Sequence, residues 1–167
     1  MATALVTLGQ MFAISVANNR SARTGSYANV LAQQKLEQLR GLTWGFDIIG
    51  LPISDTTTDT TAAIESPTGG TGLNPSPAGT LTSNTPGYVD YVDQFGNILG
   101  GGATPLPKTV YVRRWSIEPS PLNPNNTLII QVLVTRTVSR GSADTAGSTR
   151  RLSEEARLAT VKTRKAQ

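Results

Sequence analysis

From Ala2 to Gly41 the chain contains no proline, and Ala, Leu, Gln and Val dominate. The apolar pattern changes within this stretch. Residues 2–17, ATALVTLGQMFAISVA, carry no charge. Leu5, Leu8, Phe12 and Val16 fall on one helical stripe, while Val6, Met11 and Ile14 fall off it. Apolar side chains nearly all round a helix suit a membrane or the core of a helical assembly. Residues 18–42 are amphipathic instead. Ala28, Leu31, Ala32, Leu36 and Leu39 share a face, interrupted by Arg20, Arg23, Gln34, Glu37, Gln38 and Arg40. One helix over the whole stretch would be about 60 Å long at 1.5 Å per residue. That is several times the usual length. Gly25-Ser26 is the predicted kink, and Gly41 the predicted C-cap.

Past the helix the pattern is lost, then switches period. Residues 43–87 form a loop region rich in Thr, Pro and Gly, and within it residues 50–87, without apolar periodicity, read as a long surface excursion whose order the sequence leaves open. Residues 88–93 are β-rich, 94–97 read as a turn, and Ile98-Leu99 as the start of a return strand broken by Gly100-Gly101-Gly102. Thr109 to Glu118 alternates, with Tyr111, Arg113, Trp115 and Ile117 on one face. Thr127 to Val138 is the strongest strand signal, with Ile130, Val132 and Val134 together. A Pro/Asn-rich connection between them predicts an antiparallel pair. Residues 140–151 read as a polar loop. The last segment permits a short helix or a strand, and the strand is preferred. The fold class expected is α+β: a long N-terminal helix packed on a small antiparallel sheet, with the sheet within residues 88–167.

Composition narrows the chemistry. The 167 residues include no Cys and no His, so thiol chemistry and Ser-His-Asp or Cys-His sites are excluded. The net charge of +4 is unevenly spread. The segment 41–107 has six acids and no Lys or Arg, whereas 108–167 has eleven basic residues against four acids. Solvated surface is one reading; a head-to-tail contact between subunits, acidic middle to basic end, is the other.

Few residues invite a specific site. Asp90, Asp93 and Asn97 could offer calcium hard oxygen ligands, but their spacing is not that of an EF-hand, and turn chemistry is the simpler reading. Glu154-Glu155 read as solvated surface rather than a glycosidase pair. Gly69-Gly70-Thr71-Gly72 and Gly100-Gly101-Gly102 lack the residues of a phosphate loop. Asn125-Asn126-Thr127 fits a glycosylation pattern that is common by chance. Arg136, Arg140, Arg150, Arg151, Arg157, Lys162, Arg164 and Lys165 make a basic C-terminal third, and Trp115, Tyr111 and Tyr91 could stack on bases. They are not interleaved with the basic run, which argues against nucleic acid as partner. Neither an enzyme nor a resident cofactor or metal is expected.

The stretch Leu31-Ala32-Gln33-Gln34-Lys35-Leu36-Glu37-Gln38-Leu39-Arg40 resembles the LAQxxLExLR region of minor type IV pilins and type II secretion pseudopilins. YVRRWSIEP followed by TLIIQVLV is similar to that family's core strands, and RLSEEARLATVKTR to its terminal strand. The resemblance implies a structural subunit of a pilus or pseudopilus. It would sit in the bacterial inner membrane, facing the periplasm, before it assembles with other pilin subunits. Leu5, Leu8, Met11, Phe12, Ile14 and Val16 would be filament-core contacts. Leu31, Leu36, Leu39 and Trp115 would join helix to sheet. The family's processing site, typically Gly-Phe-Thr-Leu-Ile-Glu, does not occur in residues 1–167, so the expected apolar helix begins upstream of Met1. Two other readings stay open: a basic nucleic-acid-binding protein, and a secreted soluble β-rich binding module.

Overall fold

The computed structural model describes residues 2–64, 66–137 and 155–164, with the side chains of 2–9 and 20–21 left out. The fold is α+β. Helix α1 (Ala2–Gly41) is followed by a two-stranded hairpin of β1 (Trp44–Phe46) and β2 (Pro52–Ser54). Then come β3 (Val89–Val92), β4 (Ile98–Gly101), β5 (Tyr111–Pro119), β6 (Thr127–Arg136) and β7 (Ala156–Thr163). These five form one sheet in the order β4-β3-β5-β6-β7, every neighbouring pair antiparallel.

The second half of α1 lies across β5, β6 and β7. Period-2 alternation sends Trp115, Ile117, Leu128, Ile130, Val132 and Val134 toward it, all fully or almost fully buried. Ala28, Leu31, Ala32, Leu36 and Leu39 meet them in one core cluster. Val89, Tyr91 and Val112 form a smaller cluster on the other face, covered by Leu99 and Leu106.

Three expectations need correction. The glycines after Leu99 do not break the return strand: β4 includes Gly100 and Gly101, and the β3–β4 register shifts between Tyr91 and Val92. Gly41 is not in a left-handed cap, having no positive φ. The helix end is closed from outside instead, where the Lys162 ammonium donates to the carbonyls of Arg40 and Leu42. Orphan carbonyls at a helix end accept such a cation readily. α1 runs unbroken through Gly25-Ser26, the predicted kink, where the Ser26 hydroxyl donates 3.0 Å to the Ala22 carbonyl.

Residues 43–87, whose order the sequence leaves open, are largely ordered by aspartates acting on the backbone. Asp47 Oδ1 accepts the Ile49 and Leu51 N–H groups and shapes the β1–β2 turn. Asp55 Oδ1 accepts those of Thr57 and Thr58, and Asp59 Oδ1 that of Thr61. Such bonds replace a regular ladder, so they leave no periodicity in the sequence. Leu73 and Thr60 are buried beneath the loop. A Cβ on Gly70 would lie 2.2 Å from the Thr58 carbonyl oxygen, so only glycine fits there.

Asp55, and Asp93 in the β3–β4 turn, should make their loops acid-sensitive. Burial pushes Asp55 up, but bonds from the Thr58 hydroxyl and the Thr58 and Thr57 amides outweigh it and hold the carboxyl below 3.8. The Asn97 side chain, with the Asn97, Phe95 and Gly96 amides, does the same for Asp93 against slight desolvation. A carboxyl held low in the folded state adds stability above its unfolded value, and loses it as pH falls through the folded one. We expect amide protection at Thr57, Thr58, Phe95 and Asn97 to fall as pH drops below 3.8. Hydrogen exchange followed by NMR would show it; in Asp55→Asn the acid-dependent loss at Thr57 and Thr58 should vanish.

Candidate functional site

The head leaves α1 uncovered over residues 10–19. Met11, Phe12, Ile14 and Val16 are 58–74% exposed, although all four are apolar. The side chains of Leu5 and Leu8 lie outside the described residues. At 3.6 residues per turn, eighteen residues make five whole turns. Ile14 therefore stands on the same side of the helix as Ala32, which is buried against the sheet. The sheet-facing side of α1 runs on past the sheet with nothing to cover it. Phe12 and Val16 lie on another side, in line with Arg23 and Tyr27. There an open groove runs between α1 and the β3–β4 turn, lined by Val16, Asn19, Arg23, Thr24, Tyr27, Gln94, Phe95 and Tyr111. No helix of the described residues is long and apolar enough to cross a membrane.

Leu31, Leu36, Leu39 and Trp115 come together in the main core. Among them sits a buried charge cluster that the sequence reading missed. Lys35 is fully buried, with Nζ 2.6 Å from Asp90 Oδ2 and 4.3 Å from the Trp115 ring centroid. It also donates to the Thr60 carbonyl at 2.7 Å and to Gln38 Oε1 at 2.8 Å. Asp90 in turn takes a bidentate pair of bonds from Arg113, Nε at 2.7 Å and Nη2 at 2.8 Å. Arg113 Nη1 reaches Gln34 Oε1 at 3.1 Å. Two cations thus share one carboxylate, and Lys35 and Arg113 also donate to carbonyl and amide oxygens. The cluster ties helix, loop, β3 and β5 together. Gln34 and Gln38, expected to face water, turn their oxygens into it. One signal was present: Arg113 shares the inward face of β5 with Trp115, and an inward arginine needs an acid.

The same cluster removes the calcium candidate. Asp90 is buried on the core side with two cations, while Asp93 and Asn97 bond each other in the exposed β3–β4 turn. No group of three or more metal-binding side chains occurs among the described residues.

The stacking platform proposed for nucleic acid is absent as well. Trp115, Tyr111 and Tyr91 are all buried. Lys162 holds the helix end. Arg164 lies 3.7 Å over the Trp44 ring and donates to the carbonyls of Asn125, Gly45 and Ile53. Arg157 reaches Gln131. These cations are spent on the chain's own oxygens. Arg140, Arg150, Arg151 and Lys165 lie outside the described residues, as do Glu154 and the loop 140–151. Of the acidic middle, Asp90 is neutralised inside, Asp47, Asp55, Asp59 and Asp93 accept bonds from turn amides, and Glu65 lies outside the described residues. Comparison with known protein families, with curated proteins and with solved structures finds no match.

Proposed function

We propose that this chain is a structural subunit that assembles with like subunits through α1, in the manner of type IV pilins and type II secretion pseudopilins. The observation that carries the reading is the uncovered apolar half of α1, continuous with a half that is buried on the sheet. A helix of 40 residues exceeds what its own head can cover. Water penalises apolar side chains by about 1.5–3 kcal/mol each when they could be buried. Packing that half against copies of itself or against lipid removes the penalty. The head would then coat the assembly, and LAQQKLEQLR is the segment where helix and head join. Membrane residence before assembly belongs to the same proposal.

The test is Met11→Asp with Ile14→Asp in the full chain, followed by analytical ultracentrifugation. Neither side chain touches the head, so thermal unfolding should not move. Self-association should weaken at least tenfold, since two such burials are worth more than ~1.4 kcal/mol. A wild-type chain that stays monomeric would sink the reading, and so would a variant that unfolds.

A further inference from the structure

The β1–β2 hairpin presents apolar side chains outward. Ile48 is 96% exposed, and Ile49, Leu51 and Ile53 follow it. This is a built feature rather than a loose loop. The Asp47 N–H bonds the Leu51 carbonyl at 2.8 Å, the Asp47 carboxylate takes two turn amides, and Gly50 supplies the positive φ of 81°. Arg164 fastens both strands from behind through the Gly45 and Ile53 carbonyls. The result is a rigid apolar knob at the C-terminal end of α1.

The groove between α1 and the β3–β4 turn is its counterpart. It is concave, and its exposed apolar lining is Val16 and Phe95, the latter 76% exposed. The one charged side chain lining it is Arg23, and the one charged residue of the hairpin is Asp47. Knob and groove are both apolar, and each carries one charge, of opposite sign. They cannot meet within one chain. Arg23 and Gly41 are eighteen residues apart on one helix, about 27 Å along its axis.

We infer that the hairpin tip of one copy seats in the groove of a second copy, with Asp47 facing Arg23. The contact joins unlike patches, so it runs head to tail and links more than two copies. It rests on the subunit reading above and names which head surface meets the neighbour. Met11 and Ile14, on another side of α1, remain for helix packing.

The chain has no cysteine, so disulfide trapping reports this contact directly. Ile48→Cys with Phe95→Cys in the full chain, under a mild thiol oxidant, should give a reducible ladder of dimers, trimers and higher species. An equal mixture of the two single variants should stop at a mixed dimer. Replacing Ile48→Cys by Leu122→Cys, on a turn residue 97% exposed, should lower the linked fraction at least tenfold. If Met11→Cys chains cross-link but the Ile48/Phe95 pair does not, the hairpin contact is wrong and the subunit reading stands. If neither links, both fall. A Leu122 control that links as well as Ile48 also overturns the contact.

Discussion

Asp90→Ala is expected to cost about 3–5 kcal/mol, the usual penalty for stripping one partner from a buried ion pair. The carboxylate is the single anion between the Lys35 ammonium and the Arg113 guanidinium, and all three side chains are buried. Without it, two positive charges face each other in the buried core. The asymmetry within the cluster is the sharper test. Lys35→Met leaves the bidentate Asp90–Arg113 pair intact and puts an apolar side chain of similar length over Trp115. It loses the Asp90 ion pair and the bonds to the Thr60 carbonyl and Gln38 Oε1, while Arg113 still neutralises the carboxylate, an effect on the order of 1–3 kcal/mol. Urea unfolding of both variants should therefore rank Asp90→Ala well below Lys35→Met. Equal losses would mean that the lysine, not the carboxylate, organises the cluster.

Trp115→Ala should cost a similar 3–5 kcal/mol, as large-to-small changes of buried aromatics do. The ring is fully buried between α1 and the sheet, and its face takes the Lys35 charge. Alanine would open a cavity and remove the π surface at once. Trp115→Phe is the informative companion. The indole Nε1 is buried without a hydrogen-bond partner, so phenylalanine gives up no bond there and removes an unsatisfied donor. Its cost should be clearly smaller than that of alanine, read as a difference in unfolding midpoint at constant m-value.

Much of this architecture was legible where burial imposes a period. The alternation in β5 and β6 is set by one buried face, and the 28–42 stripe of α1 by the same core. β7 could be read as a strand because Leu158, Thr160 and Lys162 alternate with outward residues, as the structure places them. Legibility ended where a side chain's environment is made by residues far away. Lys35 looks like any solvated helix lysine until Asp90, 55 positions on, closes over it. The 43–87 loop hid its order because Asp47, Asp55 and Asp59 bond backbone amides rather than repeating any apolar spacing. The uncovered half of α1 was read from its lack of charge alone, and the hairpin knob was not read at all. Its strands have three residues each, too few to show alternation.

The closing of α1 by Lys162 has a consequence for biosynthesis. The donor and the carbonyl of Arg40 are 122 residues apart. At about 5–20 residues per second, a ribosome takes several seconds or more to cover that interval. During that time the greasy stripe of the nascent helix has no finished sheet to lie on, and β6 shows an unpaired edge. Folding can complete only once β7 has been made and has left the ribosome.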